Sequence, residues 1–64
     1  MTRGDRIRKT RKKCGITQEA AARKVDLPVS TWARIERDLT ADPKLGTIKK
    51  IAKALGIRPA ALLG

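Results

Sequence analysis

The chain has 64 residues and a formal net charge of +10, from 16 Lys and Arg against 6 Asp and Glu. That length fits one domain, residues 1–64, near the lower limit for a core held without metals or disulfides. With Cys14 as its one cysteine and no histidine, it can assemble neither a disulfide framework nor a zinc site, so no cofactor is expected and a reducing cytoplasm is the expected compartment.

The charge favours a polyanionic partner, nucleic acid or anionic membrane. The longest uncharged apolar stretch, Pro59 to Leu63, is far too short for a bilayer, and the basic start lacks the apolar run of a signal peptide. No membrane partner is expected. No base stands ready to activate a nucleophile and no carboxylate pair has a useful spacing, so an enzyme is not expected either.

Ile7, Thr10 and Cys14 fall at helical spacing between Arg3 and Cys14, with Thr2 and Asp5 as a capping box. This segment, Arg3 to Lys13, holds seven of the sixteen basic residues. Gly15 ends it in left-handed geometry, and Thr17 caps a second helix through Val25, with Glu19 at its positive end. Asp26-Leu27-Pro28 breaks the pattern, and a third helix is expected from near Pro28 to Arg37. Asp38 to Lys44 has loop composition. Leu45, Ile48, Ile51, Ala52 and Leu55 then recur at helical spacing up to Gly56. Ile57 follows as an anchor, and Pro59 opens a fifth, short helix ending in Leu62 and Leu63.

The second and third helices are short and joined by a tight turn, so they must cross steeply, as in a helix-turn-helix from about Thr17 to Arg37. Ala21 and Val25 supply the inner face and Ala22 the close approach. Asp26 takes the positive φ that the turn needs, and Leu27 plugs the corner. On the third helix Trp32 and Ile35 face inward, leaving Val29, Ser30, Ala33 and Arg34 outward.

These residues resemble the Cro and C1 repressor type of helix-turn-helix, the XRE type. The resemblance rests on Ile7, Arg11, Gly15-Ile16-Thr17-Gln18-Glu19, Ala22, Leu27, Ile35-Glu36-Arg37, Pro43, Lys50 through Ile57, and Leu62-Leu63. It implies an all-α, compact, five-helix lambda-repressor-like domain whose helix 3 lies in the major groove of double-stranded DNA. It also implies a homodimer on a palindromic operator and a sequence-specific transcriptional regulator, expected to be a repressor. A second reading is an antitoxin-type protein-interaction module that also binds DNA. No small-molecule ligand is implied.

Carried over by position, Gln18 resembles a phosphate or base-edge contact, Val29, Ser30 and Arg34 resemble base readers, and Thr31 and Arg37 are backbone neighbours. Arg11 and Glu36 stand where some members pair helix 1 with the end of helix 3, leaving Arg11 also near a phosphate. Asp26 replaces the usual glycine and Pro28 the usual capping Ser or Thr. Ala21 for Leu and Trp32 for Ile or Val suggest a volume exchange that keeps Trp32 in the core.

Other readings stand beside these. Arg34 suits the paired acceptors of guanine, and equally a phosphate or plain solvation. Much of the helix 1 charge, with Lys49, Lys50 and Lys53, reads as a solvated face that raises the field felt by DNA. Cys14 is either a thiol activated by Lys12 and Lys13 or, as expected from its phase with Ile7, a small core residue. Dimer contact is expected from Leu62 and Leu63 or from the loop before helix 4.

Overall fold

The computed structural model describes residues 1–39 and 43–63, Leu63 in its backbone alone. Thr40 and Asp42 of the expected loop, and the side chain of Leu63, lie outside the described residues. Among the described residues five helices follow one another: α1 (Arg3–Lys13), α2 (Gln18–Lys24), α3 (Val29–Glu36), α4 (Leu45–Leu55) and α5 (Ala60–Leu63). None of them is long and apolar enough to cross a membrane.

Local chemistry sets the starts. The Thr2 hydroxyl accepts the Asp5 N–H at 3.1 Å while the Asp5 carboxylate accepts the Thr2 N–H at 3.3 Å, the reciprocal box expected. Thr17 caps α2 by accepting the Ala20 N–H at 3.0 Å. Pro28 precedes α3 in extended geometry, φ −62° and ψ 146°, so Val29 is the first helical residue. Trp32 N–H bonds back to the Pro28 carbonyl at 3.1 Å, which fixes the register of the helix.

Helices α1 to α4 all end in the same motif. A residue at positive φ closes each: Gly15 at 71°, Asp26 at 56°, Asp38 at 58° and Gly56 at 72°. The next N–H reaches back five residues: Ile16 to Arg11, Leu27 to Ala22, Leu39 to Arg34 and Ile57 to Ala52. This double closure satisfies carbonyls that a helix end otherwise leaves bare, and an aliphatic residue in that last place can fold back onto the helix. Ile16, Leu27 and Ile57 do so against the core, whereas Leu39 stays 60% exposed. The left-handed Asp26 and Gly15 match expectation; the one at Asp38 has no glycine to announce it.

The core joins Ile7, Ala21, Ala22, Val25, Trp32, Ile35, Ile48, Ile51, Ala52, Leu55 and Leu62. Trp32, with no exposed surface, fills its centre, and burial of a side chain that large contributes about 3 kcal/mol. Ala21 and Ala22, both buried, belong to the same core cluster as Trp32. At the other end of α3 the helices nearly touch backbone to backbone. A Cβ on Gly4 would sit 2.8 Å from the Ile35 carbonyl oxygen and still nearer that of Glu36, so only glycine fits there.

Two expectations change. Cys14 is exposed, because α1 ends at Lys13 and the chain turns away through Gly15; its thiol lies 3.6 Å from the Leu55 carbonyl oxygen. Leu62, expected at a dimer contact, is instead buried in the core of its own chain at 3% exposure.

Candidate nucleic-acid interface

Helix α3 has 3.6 residues per turn, so Trp32, Ile35 and Glu36, all buried, define one face and leave Ser30 and Arg34 opposite them. Ser30 and Arg34 are exposed and one turn apart. Val29, 46% exposed, and half-buried Ala33 flank them on one side, with half-buried Thr31 on the other. Arg37, at the end of the helix, is exposed. Of the residues expected to read bases, Ser30 and Arg34 therefore share one outward stripe, and Val29 is exposed at its flank.

What holds that stripe in place is the carboxylate of Glu36. Arg11 grips it with two donors, Nε to Oε2 at 2.6 Å and Nη2 to Oε1 at 3.3 Å. Gln18 Nε2 donates to Oε1 at 3.0 Å, and the Trp32 indole N–H donates to Oε2. One buried anion thus ties α1, the start of α2 and both ends of the buried α3 face. Burial pushes the Glu36 carboxyl up, but the hydrogen bonds from Arg11, Gln18 and Trp32 and the Arg11 charge outweigh it and hold the group below its usual range.

The ion pair between Arg11 and Glu36 is the one expected, with a consequence for Arg11. Its Nη1 also donates to the Ile16 carbonyl at 2.8 Å, and the residue is only 9% exposed. Three of its N–H donors, one each on Nε, Nη1 and Nη2, are therefore engaged inside the protein. Gln18, half-buried, has likewise committed one amide hydrogen to Glu36. The hydrogen bonds of Gln18 and Trp32 to Glu36 have no short-range sequence signal apart from the spacing of Trp32 and Glu36, one turn apart.

The basic cluster of α1 is mostly scaffolding. Arg3 Nε donates to the Leu62 carbonyl and Arg6 Nη1 to the Ala61 carbonyl, each at 3.0 Å, placing cations on the negative end of α5. Arg8 lies 3.6 Å from Asp5 in an exposed pair of little energetic weight. Lys9, Lys12 and Lys13 remain exposed and add to the net positive charge.

A helix-turn-helix family profile matches residues 7–62, which includes α2, the turn and α3. The chain belongs to the Cro/C1-type helix-turn-helix family. It is also similar to an immunity repressor protein of Bacillus phage phi105, 44% identical over 64 residues. That alignment covers 100% of this chain and 44% of the relative, so the chain spans less than half the relative's length. Within this helix-turn-helix, Asp26 carries the turn at φ 56° and is exposed, and its carboxylate accepts no hydrogen bond among the described residues.

Proposed function

We propose that this chain is a sequence-specific double-stranded DNA-binding regulator that acts as a repressor, laying α3 in the major groove. One observation carries the reading: Val29, Ser30 and Arg34 stand outward on a helix whose opposite face is locked by Trp32, Ile35 and the buried Glu36 network. A rigid helix with a polar and cationic outer stripe can present side chains to base edges at fixed positions. The +10 charge favours the encounter. The phage relative is named a repressor, which supports the sign of regulation.

Arg34 offers two parallel donors suited to guanine O6 and N7, Ser30 a hydroxyl to a base edge, and Val29 a methyl surface to a thymine methyl. Thr31 and Arg37 act as neighbouring backbone contacts that set orientation, and Gln18, at the start of α2, as a phosphate or base-edge contact. Arg11, buried against Glu36, supports the reading helix from within. The operator is taken to be a palindrome engaged by two copies, in the cytoplasm where the DNA lies.

Selection of bound duplexes from a random pool tests this reading. Enrichment of a motif with inverted half-sites supports it. Recovery of sequences no more similar than the starting pool would overturn it.

A further inference from the structure

Helix α1 turns two unlike faces to its surroundings. Gly4, Ile7 and Arg11 are its buried positions, held to α3 by the close approach of Gly4 to the Glu36 carbonyl and by the bonds of Arg11 to the Glu36 carboxylate. At 3.6 residues per turn, Arg6, Lys9 and Lys13 centre roughly 160° around the helix from those three. All of them are exposed, and they line a cleft of about 280 Å³ between α1 and α5 whose apolar wall includes Ile57, Ala61 and Met1. Among the described residues no carboxylate lines this cleft, whereas Asp5 and Asp26 each line another one. We propose that the α1–α5 cleft docks an acidic amphipathic helix of a partner protein, with one apolar side chain in the cleft and carboxylates against Arg6, Lys9 and Lys13.

Shape and charge choose the occupant. The cleft, at about 280 Å³, falls just below the roughly 300–1,000 Å³ of sites that enclose a small ligand, so it suits an anchoring side chain of something larger. Arg6, Lys9 and Lys13 are spaced by three and then four residues and rise about 10 Å along α1. That is the repeat at which one face of a second helix sets its own carboxylates. Arg6 also donates from Nη1 to the Ala61 carbonyl at 3.0 Å, which keeps α5 in place as the far wall, and its guanidinium has further donors for a partner.

A single exposed ion pair contributes little, but several in register beside an apolar anchor fix orientation and choice of partner. No lining residue belongs to α2 or α3, so an occupant of the cleft leaves α3 free.

The test measures binding of a synthetic amphipathic helix of about 18 residues, with Glu at three-and-four spacing beside a Leu stripe, to the 64-residue chain by titration calorimetry. Its expected affinity is about tenfold or more above that of a peptide of the same composition in scrambled order. Two variants act on the cleft: Ala61→Glu, which sets a carboxylate into it from an exposed position of α5, and the double variant Lys9→Glu, Lys13→Glu. Each loses the preference for the ordered peptide, while Lys49→Glu, Lys50→Glu, an equal charge change on exposed positions of α4, keeps it within about threefold. Thermal melts establish that each variant is folded, and either cleft variant decides if the other is not. Equal affinity for the two peptides, a preference that survives in a folded cleft variant, or its loss in the α4 variant would each overturn the proposal. A loss of duplex affinity by Lys9→Glu, Lys13→Glu well beyond that of the α4 variant would also overturn it, by making the stripe a DNA contact.

Discussion

The Trp32 indole N–H donates to the carboxylate of Glu36 one turn further along the same helix, so the largest core side chain and the only buried carboxylate among the described residues hold one another. Replacing Glu36 by Gln leaves Arg11 buried without its counter-charge and unsettles the amide of Gln18 as well. The expected loss is about 3 kcal/mol, a large part of the stability of a domain this small. Urea titration followed by Trp32 emission measures it. An unchanged midpoint would mean that the network contributes nothing.

The same carboxylate makes stability depend on pH. Its native pKa lies below the ordinary 4.5, so its stabilising contribution is complete well above that value and is lost as pH falls through the native one. Exposed Asp5 is lowered too, first by the Thr2 N–H that it accepts, and acts in the same direction. Comparison with Glu36→Gln separates the two: melting temperature against pH between about 6 and 3 falls more steeply in wild type than in the variant. Parallel curves would contradict the assignment to Glu36.

Two glycines in helices should respond oppositely to alanine. At Gly46 a Cβ meets open space, so Gly46→Ala gains helix propensity and stabilises by about 0.5 kcal/mol. At Gly4 a Cβ strikes the backbone of Ile35 and Glu36, and the resulting displacement costs about 2 kcal/mol, which outweighs the same propensity gain. Thermal melts read both, at about 4–8 °C per kcal/mol for this size. A Gly4→Ala protein as stable as wild type would mean that α1 and α3 are further apart than the structure has them.

The two left-handed aspartates form a second contrast. Both hold positive φ, where glycine is easier by about 1 kcal/mol. Asp26 makes no hydrogen bond with its carboxylate among the described residues, so Asp26→Gly should raise the melting temperature. Asp38 accepts the Gly4 N–H at 3.0 Å and the Thr2 hydroxyl at 2.5 Å, capping α1 from the far end of α3. Loss of that cap costs about 1 kcal/mol and cancels the backbone gain, leaving Asp38→Gly near wild type. Equal stabilisation by both substitutions would remove Asp38 from its capping role.

These contrasts mark what was legible in the sequence. The capping box of Thr2 and Asp5, the turns at Gly15, Asp26 and Gly56, and the inward phase of Trp32 and Ile35 follow from local chemistry, and each stands where it was expected. Gly4 and Asp38 do not announce themselves, because their roles depend on contacts more than thirty residues away that no local spacing encodes. Cys14 has the phase of a core residue but lies just past the end of its helix, where phase no longer decides burial. The pairing of Arg11 with Glu36 was legible through family resemblance; that the pair would bury Arg11 and also capture Gln18 and Trp32 was not.

The central claim is that α3 reads base sequence, and the most direct measurement is the affinity ratio between a selected duplex and a scrambled one at one fixed salt concentration, for wild type and Arg34→Ala. The account predicts a wild-type preference of about 10³ or more. It also predicts that Arg34→Ala loses about 1–3 kcal/mol of binding and tolerates substitution at one base position per half-site, with scrambled binding little changed. Equal wild-type affinity for the two duplexes, or a variant that discriminates every position as wild type does, would contradict it.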